Sequence, residues 1–243
     1  MRSNTAVIKK DKQTMETVYD RTELLIGKEG ISSLKKGAVI VFGLGGVGGM
    51  AVEALARAGV GHIAIVDYDK INITNINRQI IAFHSNIGEY KTDVMKKRIN
   101  DINPDIIVES FCERITANNI STFDLKKFDY IIDAIDDVPA KVTLITESCK
   151  INVPIVSSMG TGDKLNPEKL SLQKIKNTNT CPLAKVIRGK LKKHGIEDII
   201  VVCSTEPPGR SIPRSENRET SSISFVPPAA GLLLAKKVIC DLL

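Results

Sequence analysis

The stretch "VFGLGGVGGM", residues 41–50, constrains this chain more than any other: it holds five glycines, with Gly43, Gly45 and Gly48 at G-x-G-x-x-G spacing. A glycine loop of that spacing turns a strand into a helix and lets backbone N–H groups approach a phosphate. The pattern is weak alone, but its context fits. Five apolar residues, 38–42, precede it at strand length, and "GGMAVEALARAGV" (48–60) sets Ala51, Ala54, Leu55 and Ala58 on one helical face. "HIAIVDYD" (62–69) reads as a second buried strand and carries Asp67, 24 residues beyond Gly43. An acid there accepts hydrogen bonds from a ribose, so residues 38–69 read as a nucleotide-binding β-α-β unit.

The alternation continues. "RTELLIGKEGISSLKKG" (21–37) reads as one or two short helices with glycine breaks. An amphipathic helix over 91–104, strands over 105–111 and 128–136, a helix over 139–152 and a strand over 153–162 follow. This predicts an α/β fold: a Rossmann-like, doubly wound, mainly parallel sheet with helices on both faces. Beyond Gly162 the pattern predicts an edge strand at "LSLQKI", a basic helix over 181–196, a strand over 198–206, a mobile Pro/Ser/Arg-rich loop over 207–222, and a closing strand and helix. The expected organisation is an arm over 1–20, a nucleotide-binding core over 21–162 and a C-terminal extension over 163–243, together one compact domain. With 243 residues, 42% of them hydrophobic, the chain can bury a sizeable core, and with no Trp that core is aliphatic.

By spacing alone the loop suits NAD. The segment after the second strand, "DYDKINITNINRQ" (67–79), argues otherwise: it brings Asp69, Asn75, Arg78 and Gln79. A dehydrogenase has no need of an arginine flanked by amides there, whereas polyphosphate charge calls for the planar donor fork of Arg. Lys91 opens the next helix as a second cation. Asp136 ends "IIDAID", at the sheet edge where such folds bind ligands, and can hold Mg²⁺ against phosphates. Each residue also has an ordinary reading: Lys91 as a solvated helix residue, and Asp133, Asp136 and Asp137 as helix-capping acids. Four polar groups at one sheet edge favour a Mg-ATP site.

"GLGGVG", "DYDKINITNINRQ", Lys91 and "DAID" resemble the ubiquitin-activating-enzyme-like superfamily, which includes the bacterial adenylyltransferases of the ThiF, MoeB and HesA type. The resemblance implies ATP and Mg²⁺ as cofactors and adenylation of a carboxylate. Gly43, Gly45 and Gly46 match its ATP loop, and Asp67 its ribose-binding acid. Asn75, Arg78, Gln79 and Lys91 match its phosphate contacts, and Asp136 its metal ligand. Arg21 matches an N-terminal arginine that reaches the partner subunit's ATP, which implies a homodimer. "NTCPLAKVIRGKLKKHGI", "VVCSTEPP" and "SISFVPPAAGLLLA" are similar to the superfamily's tRNA-modifying dehydratase branch. That similarity implies ATP-dependent cyclisation of threonylcarbamoyladenosine at position 37 of tRNA. The alternatives are adenylation of a sulfur carrier's Gly-Gly C-terminus, an NAD(P)-dependent oxidoreductase, and a non-catalytic tRNA-binding module. Sulfur-relay or cysteine desulfurase proteins are further partners to consider.

The five cysteines, at 112, 149, 181, 203 and 240, include no CxxC pair, so no zinc is expected. No protein nucleophile is expected to be required; Cys181, which precedes a helix, is the best counter-candidate. Its ordinary reading is packing, and Cys203 and Cys240 read as core. Net charge is +6, and a tRNA partner needs a basic surface. Lys185, Arg188, Lys190, Lys192 and Lys193 on one helix, and Arg210, Arg214 and Arg218 in the loop, are its candidates. The first twenty residues lack the apolar core of a signal peptide, and no apolar run is long enough to span a bilayer, so a cytoplasmic chain without membrane contact is expected.

Overall fold

The computed structural model describes residues 17–212 and 220–243. Seven strands form one sheet, in the order β3-β2-β1-β4-β5-β7-β6. They are β1 (Ala38–Phe42), β2 (His62–Val66), β3 (Ile107–Phe111), β4 (Tyr130–Asp133), β5 (Ile155–Ser158), β6 (Leu170–Lys174) and β7 (Ile200–Ser204). All neighbouring pairs run parallel except β6 with β7. The strands β1, β4 and β5 are buried at every position, which is why they read as unbroken apolar runs.

The helices are α1 (Asp20–Lys36), α2 (Gly48–Ala58), α3 (Lys91–Ile102), α4 (Val138–Ile151), α5 (Pro182–Lys192) and α6 (Val226–Leu242). Two apolar clusters, one on each face, sandwich the sheet. One contains residues of α2, α3 and α6, the other residues of α4 and α5. α1 is broken at Gly27, whose φ of 71° leaves the helical region. α2 is buried more widely than its apolar stripe predicts, because α6 covers it. Val52 and Ala56 are buried along with Ala51 and Leu55.

The α2–α6 contact depends on Gly231, where an added Cβ would stand 2.2 Å from the Val47 carbonyl oxygen. Backbone cannot yield there as a side chain can. Gly231→Ala is expected to destabilise the fold by about 3 kcal/mol, the upper end for overpacking, as read by urea denaturation. A change under about 0.5 kcal/mol would contradict this packing.

The closing strand expected before α6 is absent. Pro227 and Pro228 have no N–H for a ladder but suit a helix's first turn, so helix begins at Val226. No helix among the described residues is long and apolar enough to cross a membrane.

Candidate nucleotide site at the sheet's switch point

The strand order reverses between β1 and β4, and a cavity of about 550 Å³ opens at their carboxyl ends. Ligands bind at this point in open α/β sheets. Three of the loop's glycines have distinct reasons. Gly43 has φ 88°, and a Cβ there would meet the Ala134 carbonyl oxygen at 2.7 Å. Gly48 faces the Gly43 carbonyl oxygen, which a Cβ would strike at 1.8 Å. Gly45 is different: its nearest neighbour in the Cβ direction is Gln79 Nε2 at 4.0 Å, so the missing side chain leaves cavity space. Gly46 lines the cavity too, but its Cβ direction points at Pro227 (3.0 Å) and the Arg78 carbonyl (3.2 Å). Its small size therefore serves packing against α6. Gly49 makes only ordinary contacts.

Asp67 is buried and ties the site together. Its Oδ2 accepts from Leu44 N (2.6 Å) in the glycine loop, and its Oδ1 from Asp69 N (2.8 Å). Burial pushes its carboxyl above the ordinary value, although the Lys91 ammonium and both N–H groups pull the other way. Lys91 is itself buried, with Nζ 2.7 Å from Asp69 Oδ2 and 3.8 Å from Asp67 Oδ2. The solvated-helix reading of Lys91 is thereby overturned.

Arg78 and Gln79 reach the cavity from the turn after β2. Arg78 Nη1 donates only to neutral oxygens, Thr74 O (2.9 Å) and Asn77 Oδ1 (2.8 Å). Gln79 is 6% exposed, and its Oε1 has no hydrogen-bond partner. A buried orphan acceptor costs free energy unless a ligand or water meets it. Asn75 lines the cavity as well, but its Oδ1 is occupied by Asn72 N (3.0 Å) in a capping box.

The acids at and after the end of β4 divide three ways. Asp136 is exposed on the cavity wall. Asp137 is the N-cap of α4, accepting from Ala140 N (2.8 Å), as its capping reading foresaw. Asp133 is fully buried and pairs with Lys141 at 2.8 Å. Sequence reasoning missed the Lys141 pairing, and also Arg114, which lines the cavity and binds Asp137 at 2.7 Å. The position of Arg114 just past a strand's carboxyl end was the available signal.

Several expected residues lie elsewhere. Arg21 is exposed in the first turn of α1 and does not line the cavity of its own chain. Lys185, Lys190, Lys192 and Lys193 are exposed, but Arg188 turns inward to Thr178, donating to its Oγ1 at 2.7 Å. Arg210 is also held inside: its side chain is 14% exposed and its Nε stands 4.0 Å from Asp163 Oδ1. Arg214 and Arg218 lie outside the described residues, as do 1–16 of the N-terminal arm and the middle of the 207–222 loop.

Cys181 caps α5 and is buried beside Cys203. Its thiol is pulled below the ordinary range by the Cys203 thiol and by the N–H groups of Ala184, Gly160 and Leu183. Cys203 moves up in consequence. Cys240, expected in the core, is exposed on α6.

A glycine loop, a ribose-type acid and two cations at the switch point define a Rossmann-like nucleotide-binding protein of the polyphosphate-handling kind. The chain belongs to the ThiF family, whose model matches residues 19–239. It is 41% identical to the tRNA threonylcarbamoyladenosine dehydratase of Bacillus subtilis, over 93% of this chain and 94% of that protein. It is 36% identical to the Escherichia coli dehydratase, over 72% and 65% respectively. The crystal structure of E. coli TcdA with ATP superposes with a TM-score of 0.86 at 30% identity, covering 92% of this chain and 93% of that one. An AMP complex of the same protein gives 0.85.

Proposed function

We propose that this chain is an ATP-dependent tRNA threonylcarbamoyladenosine dehydratase acting on the modified adenosine at position 37. The threonyl carboxylate attacks the α-phosphorus of ATP and pyrophosphate leaves, giving an acyl-adenylate. A nitrogen or oxygen of the neighbouring ureido group then attacks the acyl carbon. AMP leaves with the carboxylate oxygen it received, the nucleophile loses its proton, and the ring closes. The sum is loss of one water from the nucleoside. Holding the two groups at ring-forming distance makes the second step easy, with effective molarities of about 10⁵ M or more for well-placed groups. The chain therefore needs only to position and to neutralise charge.

One observation carries this reading: the cavity joins the glycine loop, Arg78, Gln79, Lys91 and Asp136 at the switch point of a sheet that superposes on ATP-bound TcdA. In the proposed roles Gly43 and Gly45 shape the phosphate loop and Asp67 takes the ribose. Arg78 and Lys91 meet the phosphates, Lys91 exchanging part of its contact with Asp69 for them. Gln79 offers its orphan oxygen to the nucleotide. A single carboxylate plus phosphate oxygens suits Mg²⁺, which keeps most of its water, so Asp136 fits as its protein ligand. When bound, Mg²⁺ would offset charge developing on the phosphates. The exposed lysines of α5 are the proposed tRNA contacts. We place this chain in the cytoplasm, with core and extension acting as one domain.

The test is mass spectrometry of tRNA nucleosides after incubation with ATP. Modified tRNA should lose the mass of one water only when ATP is present. ATP–pyrophosphate exchange driven by a Gly-Gly carrier protein instead would sink the reading.

α1 supports a homodimer. Leu24 and Leu25 are 90% and 85% exposed, an arrangement costly in water and useful at an interface. Arg21 is exposed on the same helix, and its proposed role is to reach the second copy's ATP. Replacing Leu24 and Leu25 with serine is expected to halve the mass seen by light scattering while the helical signal persists. A wild-type chain that runs as a monomer would refute this.

A further inference from the structure

The strand order sets the cavity out in sequence. The glycine loop follows β1, Asp136 follows β4, and the loop 159–164 follows β5. By strand order, the β5 side of the same cavity lies beyond Asp136 from the glycine loop. That side is walled by Thr161, Gly162 and Lys164, with Thr220 and Ser221 packed directly against Gly162 and Asp163. The N-terminus of α5, through Pro182 and Leu183, forms its rim, so the exposed lysines of that helix lead up to it.

Lys164 is the unusual member of this wall. It is 5% exposed, yet no carboxylate of the described residues lies within 4 Å of its Nζ. Its Nζ donates to the Glu206 carbonyl oxygen at 2.7 Å, leaving two of three N–H groups uncommitted. The nearby Glu206 carboxylate is engaged, accepting from Leu165 N, Asn166 N (2.9 Å) and Asn166 Nδ2 (2.8 Å). The Asp163 carboxylate is likewise taken, by Ser221 N and Oγ. At hydrogen-bond distance the Lys164 ammonium meets only a neutral oxygen, and the Glu206 carboxylate that acts on it from farther off is shared among three other donors, so an anion of the ligand can take its remaining N–H groups. Arg78, half-buried and bonded only to neutral oxygens, offers a cation on the nucleotide side, where phosphates answer it. Lys164 offers one on the β5 side.

We propose that Lys164 is the acceptor's carboxylate-binding residue: it holds the threonyl carboxylate on the β5 side of Asp136, facing the α-phosphate of ATP. This rests on the dehydratase reading and adds to it the residue that recognises the group to be activated. A cation there fixes which oxygen faces the phosphorus and stabilises the acceptor without touching ATP. It also separates tRNA bearing the threonylcarbamoyl group from tRNA without it, since only the former brings a carboxylate.

The test compares wild type, Lys164→Met and Lys164→Arg on one tRNA with and without the threonylcarbamoyl group. Lys164→Met is expected to raise KM for the modified tRNA about ten- to a hundredfold, as for loss of a charge-assisted hydrogen bond. ATP affinity and binding of the unmodified tRNA should hold, and Lys164→Arg should recover most of the loss. Equal weakening on both tRNAs would overturn the assignment in favour of a backbone phosphate contact. Unchanged KM in a folded Lys164→Met protein would overturn it outright. If that variant does not fold, a folded but inactive Lys164→Arg protein would overturn it, and a folded, active one with normal KM would support it. Failure of wild type to remove water with ATP would instead take down the dehydratase reading beneath it.

Discussion

Arg78→Ala should slow ATP-dependent water loss by about a hundred- to a thousandfold, the usual effect of removing one preorganised donor from developing charge. Little else should change. The guanidinium bonds only to Thr74 O and Asn77 Oδ1, in the turn beyond β2, so melting should shift little. Lys91 is a less clean probe, because removing it leaves Asp67 and Asp69 facing each other without their cation. Arg78→Lys should recover only part of the rate, since a point charge replaces a planar fork. Single-turnover pyrophosphate release measures the step directly. A rate within fivefold of wild type in the alanine variant would remove Arg78 from the phosphate site.

The glycine loop and the polar groups around it were legible in the sequence for a common reason: local rules place them. Parallel strands buried on both faces read as apolar runs, and a loop between strand and helix at a sheet's carboxyl edge is a ligand position. Asp67, Arg78, Lys91 and Asp136 all follow from that geometry, and all line the one cavity. What sequence could not show depends on what packs from afar. Gly46 reads as a nucleotide contact until α6, nearly two hundred residues on, is seen to press Pro227 against it. Arg188 and Arg210 read as surface cations, yet Thr178 and Asp163 draw them inward. Cys240 sits in an apolar stretch, yet on α6 it is exposed. The α6 case shows the order of constraint. Its two prolines decide where helix begins, and Gly231 decides how closely it crosses α2.

Lys141 is the residue whose loss should cost the fold most, and nothing local in "VPAKVTL" marks it. It sits on α4 at full burial. Its ammonium donates to Asp133 Oδ2 (2.8 Å), Ser157 Oγ (3.1 Å) and Ser158 O (2.9 Å), so all three N–H groups are met. Asp133 is equally satisfied: Ser157 Oγ donates to its Oδ2 at 2.6 Å, and Ile135 N to its Oδ1 at 3.1 Å. The network joins the ends of β4 and β5 to α4 directly below the cavity, and through Ile135 it holds the loop that carries Asp136. Burying such a pair offers little net stability, but breaking it strands a charge and typically costs about 3–5 kcal/mol. Lys141→Met is therefore expected to lower unfolding free energy by about that amount in urea denaturation. Adding Asp133→Asn should recover part of the loss, because the uncompensated carboxylate is then gone. Additive single losses, with no recovery in the double variant, would show that the two residues do not act as a pair. Activity gives a second readout. In the double variant the ATP site is folded but the Asp136 loop has lost a charged anchor, so the Mg²⁺ requirement should rise while binding of unmodified tRNA holds.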